Sequence, residues 1–142
     1  MNTTNTTNTT KPKTRTITLT GKPPVKIRED QWPVVAQGGY EDCDNQFDFQ
    51  SSRITDLDIR VRRHDDGRSV VYGVYDYTTR WQGERSETKR AGYVIDPDGD
   101  IVATIKRVGD DLVQQAVRRD IVRDIVRDAV NECIADLPAQ EI

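Results

Sequence analysis

The sequence predicts an α+β fold: an antiparallel β-meander of about four to five strands, a short N-terminal helix, and one or two C-terminal helices packed on one face. Three observations lead there. Apolar residues alternate with polar ones from Phe47 to Ile95, as they do in strands with one covered face. Asp65-Asp66-Gly67 interrupts that alternation with a tight-turn signature, the strongest short-range sign of a hairpin. Beyond Gly99 the apolar spacing changes to three and four residues, the period of a helix. Strands first and helices afterwards is the α+β order.

Each element has its own signature. Met1 to Lys13, with its repeated Asn-Thr-Thr, contains too little apolar surface to offset the entropy of ordering and reads as a disordered tail. Residues 14–138 are expected to form one α+β domain, and 139–142 a C-terminal tail. Thr14 to Thr20 alternates around Ile17 and Leu19 and predicts a short strand. Gly21-Lys22-Pro23-Pro24 breaks it, and Val25 and Ile27 form a brief extended piece suited to an edge. Glu29 to Gln37 reads as the short helix: it has acids in its first turn, places Trp32, Val35 and Ala36 on one face, and is ended by Gly38-Gly39.

In the meander, Phe47 and Phe49 begin the alternation, and Leu57, Ile59 and Val61 continue it between Asp58, Arg60 and Arg62. Arg68 to Thr79 returns with Val70, Tyr72 and Val74 on one face and Val71, Tyr75 and Tyr77 on the other. Trp81-Gln82-Gly83 turns the chain into a last strand, Ser86 to Ile95. Asp96-Pro97-Asp98-Gly99 leads into a stripe of Ile101, Ile105, Val108, Leu112 and Ala116. A second stripe runs through Val122, Ile125, Val126, Ala129, Val130, Cys133 and Leu137 and stops at Pro138, so two helices are favoured over one kinked helix.

Composition narrows the function classes. With 142 residues the chain can bury a core without metals or disulfides. A net charge of −3 excludes a strongly basic nucleic-acid coat and a strongly acidic tail, although 32% of the residues are charged. No apolar run reaches the ~18 residues of a membrane span, and no apolar leader is present, so the expected location is cytoplasmic, away from membranes. There Cys43 and Cys133 are read as small apolar fillers rather than a disulfide.

Catalytic signatures are sparse. The one histidine, His64, adjoins the Asp65-Asp66-Gly67 turn and reads as structural. Asp76 and the Glu87-Thr88-Lys89 triplet fall on adjacent predicted strands. That spacing is the one used by magnesium-dependent nucleases, in which carboxylates hold the metal and lysine polarises water. It defines a nuclease alternative. The principal expectation is no enzyme, no cofactor and no metal.

Two charged surfaces are candidate partner sites. On the sheet, Arg60, Arg62, Arg63, Arg68, Arg80, Arg85, Lys89 and Arg90 accompany Tyr75, Tyr77 and Trp81, the mixture that holds phosphates and stacks bases. A solvated face neutralised by Asp58, Asp66, Asp76, Glu84 and Glu87 is the plainer alternative. On the last helix, Asp120, Asp124, Asp128, Glu132 and Asp136 recur at every fourth residue and form an acidic ridge. That ridge reads either as an outer face laced to Arg119, Arg123 and Arg127 or as a row of carboxylates imitating a phosphate backbone.

Three segments add a resemblance: Thr16-Ile17-Thr18-Leu19-Thr20-Gly21-Lys22-Pro23-Pro24-Val25-Lys26-Ile27, Arg80-Trp81-Gln82-Gly83 and Glu132-Cys133-Ile134-Ala135-Asp136-Leu137-Pro138. In these the chain resembles small accessory proteins of plasmids, integrative elements and phages. The resemblance implies an anti-CRISPR-type inhibitor that contacts a host CRISPR or other defence complex and blocks its nucleic-acid path, as a monomer or homodimer. A small nucleic-acid-binding accessory or regulatory protein is the second expectation.

Overall fold

The computed structural model describes residues 11–42, 53–79, 85–116 and 119–139. It is an α+β structure with six antiparallel strands in two sheets, followed by two helices. β1 (Thr14–Ile17) and β2 (Val25–Arg28) form a small hairpin. β3 (Val34–Asp42), β4 (Arg53–Arg63), β5 (Ser69–Thr79) and β6 (Arg85–Ile95) form a four-stranded meander in sequence order. α1 (Ile101–Gln114) and α2 (Arg119–Ala135) then cover one face of that sheet.

The helix-covered face holds the main core. Every apolar residue of the two predicted helical stripes is buried, from Ile101 to Ala116 and from Val122 to Leu137. They pack on Ala36, Ile54, Leu57, Ile59, Val61, Val71, Tyr75, Tyr77 and Ala91. Burying one such large aliphatic side chain contributes ~1.5–3 kcal/mol, so this layer dominates the stability. Asp100 caps α1, its Oδ1 accepting the Ala103 N–H at 3.0 Å. Ala116 N–H bonds the Val113 carbonyl at 3.0 Å where α1 ends, and α2 begins as a separate helix at Arg119.

A β-bulge in β4 explains why Ile54 and Leu57 share this face despite their odd spacing. Thr55 pairs with Asp76 and Asp58 with Val74, so β4 spends one residue more than β5 over this stretch. Asp56 absorbs the extra residue at φ 56°, a left-handed conformation that aspartate tolerates. The Asp65-Asp66-Gly67 turn forms as predicted. His64 N–H reaches the Arg68 carbonyl at 2.9 Å, and Gly67 sits at φ 95°, where a side chain would be strained.

The N-terminal third differs from expectation. The predicted helix over Glu29 to Gln37 is a single turn, with Trp32 N–H on the Arg28 carbonyl at 3.1 Å, and a strand follows it. Pro33 stops the turn, and Val34 to Asp42 pairs along β4 as an edge strand. The strand count is six in two sheets because this segment and the β1–β2 hairpin each add to the meander. Trp32 does face a core, but a second one: with Ile17, Ile27, Val70 and Tyr72 it seals the hairpin onto the other face of the large sheet. Phe47, Phe49, Cys43, Trp81 and Arg80 lie outside the described residues. No helix among the described residues is long and apolar enough to cross a membrane.

Candidate anion-binding cleft

The pleat sorts the predicted site residues onto opposite faces, because directly paired residues of an antiparallel ladder point the same way. Tyr75 pairs with Lys89 and Tyr77 with Glu87, on the helix side. Asp76 pairs with Thr88 on the other side, and Thr88 Oγ1 donates to Asp76 Oδ1 at 2.8 Å. The nuclease constellation therefore does not assemble: Asp76 is separated by the sheet from Glu87 and Lys89, which bond each other at 2.5 Å. Among the described residues no three His, Cys, Asp or Glu side chains converge into a metal-holding group.

The basic and aromatic sheet face divides in the same way. Tyr75 is fully buried beneath α1, its hydroxyl donating to the Leu112 carbonyl at 3.2 Å, and burial pushes its pKa up to about 12. Tyr77 is also in the helix-side core. Neither ring can stack a base. Arg60, Arg62 and Arg90 pair with Tyr72, Val70 and Val74 and so occupy the outer face. Arg60 is ion-paired with Asp58 at 2.6 Å. Arg62 is buried: its Nε donates to Tyr72 Oη at 2.8 Å, its Nη1 to the Trp32 carbonyl at 3.1 Å, and Glu29 lies 3.9 Å away. Arg63 donates to Ser69 Oγ at 3.0 Å. Of the residues expected on this face, Arg68 and Arg90 are exposed, and Arg80, Trp81 and the Arg85 side chain lie outside the described part.

The acidic ridge is likewise divided. Glu132 Oε1 accepts the Gly39 N–H and Asp136 Oδ2 the Gln37 N–H, each at 2.9 Å. Those two carboxylates cap the backbone of edge strand β3. Asp124 and Asp128 project to solvent and share Arg127 at 3.3 and 3.7 Å. Asp120 stands exposed in the first turn of α2.

A different surface brings cations together. Where the β1–β2 hairpin leans on the outer face of the sheet it leaves a cleft of about 570 Å³. The hairpin is anchored there by Thr20, whose N–H bonds the Gly92 carbonyl at 2.9 Å and whose Oγ1 accepts the Gly92 N–H at 3.2 Å. Lys22, Lys26, Arg68 and His64 line the cleft with Gln31, Trp32 and Tyr93, and its apolar wall includes Leu19, Val25 and Val94. Among the described residues no Asp or Glu lines it, but Asp66 contacts two lining residues, Arg68 at 2.8 Å and His64 at 3.2 Å. Lys22 and Lys26 are exposed and have no ion pair among the described residues. Clefts of this size, mainly apolar with a few convergent polar groups, are the usual form of a ligand site.

Trp32 organises the floor. Its ring lies 5.0 Å from His64, tilted by 58°, and the Arg68 guanidinium carbon lies 5.1 Å from its centroid. His64 Nδ1 accepts the Asp66 N–H at 3.1 Å and lies 3.2 Å from Asp66 Oδ1. Asp66 is held ionised below its ordinary range, first by the Arg68 backbone N–H and then by the Arg68 guanidinium. Behind the cleft, Tyr93 pairs with Val71 and turns its ring to the helix side, where it donates to Asp111 and carries Arg107 over its ring at 4.3 Å; burial and that hydrogen bond raise its pKa.

Sequence reasoning named Arg68 and missed Lys22, Lys26 and Trp32 as neighbours. Gly21-Lys22-Pro23-Pro24 was legible only as a breaker; the missing signal was that a β1–β2 hairpin folds back over the sheet. No family model, curated protein or solved structure matches the chain.

Proposed function

We propose that the protein acts by binding, as a small nucleic-acid-binding accessory protein whose working surface is the hairpin cleft. One observation carries this reading: Lys22, Lys26 and Arg68 share a cleft in which, among the described residues, only Arg68 of the three is ion-paired, with Asp66. Nearby, Arg28 and Arg60 are ion-paired and Arg62 is buried, whereas Lys22 and Lys26 have no ion pair among the described residues, so an anion gains most beside the two lysines. The resemblance to accessory proteins of mobile elements agrees with it. Fluorescence anisotropy with labelled single- and double-stranded DNA at low salt tests it. The expected result is binding that weakens as salt rises and falls about tenfold or more in Lys22→Glu/Lys26→Glu. Equal affinity in that variant contradicts it.

The second reading is the anti-CRISPR-type inhibitor that docks on a host defence complex. Asp124 and Asp128 favour it, being 70% and 76% exposed with one arginine between them. This narrows the mimic from five carboxylates to Asp120, Asp124 and Asp128. An inhibitor of this kind ignores free DNA and competes with it for a purified CRISPR effector. Asp124→Lys/Asp128→Lys abolishes that competition, and unchanged competition removes the reading.

A further inference from the structure

The cations of the cleft are not equivalent, because only one is held in a fixed orientation. Arg68 lies against Trp32 at 5.1 Å, its backbone N–H bonds Asp66 Oδ1 at 2.9 Å, and its Nε donates to Asp66 Oδ2 at 2.8 Å. These contacts set the guanidinium plane and use one of its five N–H groups. The two terminal nitrogens have no partner among the described residues. A guanidinium ordered in advance with its outer fork open suits a tetrahedral oxyanion, since little side-chain entropy remains to be lost on binding. Lys22 and Lys26 add two compact charges to the same cleft.

Charge and size together select among phosphates. An internal phosphodiester carries one negative charge, whereas a terminal monoester carries ~1.5–2 at neutral pH. Asp66 offsets one of the three cations, and the positive charge left by Lys22 and Lys26 matches the monoester better. A cleft of about 570 Å³ accepts a nucleotide-sized unit rather than a long strand. Outward from it, Arg28 is paired with Asp30 at 2.7 Å, Arg15 with Glu29 at 2.8 Å and Arg60 with Asp58 at 2.6 Å. No run of unpaired cations leads away from the cleft along these residues.

We infer that the cleft is an end-binding site, taking the terminal phosphate monoester of a nucleotide or of a single strand. The outer fork of Arg68 grips the phosphate oxygens, Lys22 and Lys26 balance the second charge, and the attached nucleoside lies against Leu19, Val25 and Val94. The inference rests on the reading that the partner carries phosphate and adds which phosphate it is.

The test uses the full chain and four probes: a free nucleoside monophosphate, and one single-stranded oligonucleotide with a 5′-phosphate, with a 3′-phosphate, or with hydroxyls at both ends. Calorimetry is expected to show a phosphorylated end binding about tenfold or more tightly than the hydroxyl-ended strand, with the monophosphate competing. Arg68→Gln is expected to erase that preference while thermal unfolding shows the fold retained. Should that variant unfold, Lys22→Glu in the exposed turn of the hairpin carries the same expectation. Equal affinity for all three oligonucleotides overturns end binding and leaves the nucleic-acid reading standing. Binding of the monophosphate with none of the oligonucleotides supports the phosphate anchor and removes the nucleic-acid reading. Silence from every probe overturns both.

Discussion

Glu132 reaches from α2 to accept the backbone N–H of Gly39 through its Oε1 at 2.9 Å, one helical turn before Asp136 does the same for Gln37. An edge strand normally presents unpaired N–H groups that invite another chain. Here two carboxylates occupy two of those of β3, at Gln37 and Gly39. Glu132→Ala and Asp136→Ala are therefore expected to lower stability by about 1 kcal/mol each, a charge-assisted bond in a solvent-exposed setting. Urea denaturation measures the loss, and nucleic-acid binding is expected to stay unchanged.

The same helix–strand contact depends on a missing side chain. A Cβ on Gly38 would stand 2.3 Å from the Ala129 carbonyl oxygen and 2.6 Å from the Cys133 nitrogen, both backbone atoms that cannot turn aside. Gly38→Ala is expected to push α2 off β3 and cost about 3 kcal/mol or more. A thermal scan would show a depressed midpoint; an unchanged one would mean that α2 is not seated on this strand.

These two contacts also mark the limit of what the sequence discloses. The helical stripes from Ile101 and Val122, the Asp65-Asp66-Gly67 hairpin and β5 were legible because each is local: period and turn chemistry fix them within a few residues. Val34 to Asp42 was not, since Gly38-Gly39 reads as an ending until α2 is known to lie against it. The bulge at Asp56 was hidden for a similar reason, as the chain shows only that Ile54 and Leu57 break the alternation. Charge patterns misled most. Spacing alone placed five acids in a row, whereas partners 93 and 99 residues away take two of them. Lys22 and Lys26 were invisible as neighbours of Arg68 because their proximity is created by the hairpin folding onto Val70 and Tyr72.

Arg62 ties the hairpin layer to the large sheet. It is 4% exposed, and its removal strands the Tyr72 hydroxyl and the Trp32 carbonyl inside the hairpin layer. Arg62→Ala is expected to destabilise by about 3 kcal/mol, as for truncation of a buried paired charge. Arg62→Met, which keeps the packing volume, is expected to cost less. Denaturation of both variants separates lost packing from lost bonding.

Alkaline pH should weaken the fold. Burial raises the Cys133 thiol from 9.0 to about 12 and the Tyr75 phenol from 10.0 to about 12. Both folded values exceed the unfolded ones, so the associated stability is whole below pH 9 and is lost as pH climbs toward 12. Thermal midpoints between pH 7 and 11 are expected to fall above about pH 9, and Cys133→Ala to delay the onset toward the tyrosine range. Alkylation of Cys133 is expected only after denaturant is added, because the native thiol is buried and protonated.

Chemical-shift mapping by NMR tests the central claim most directly. Titrating the labelled protein with a 5′-phosphorylated single-stranded oligonucleotide is expected to move the amides of Lys22, Lys26, His64 and Arg68 together. Asp124 and Asp128 should remain still. Shifts confined to α2, or none at low salt, would contradict a phosphate-binding cleft beneath the hairpin.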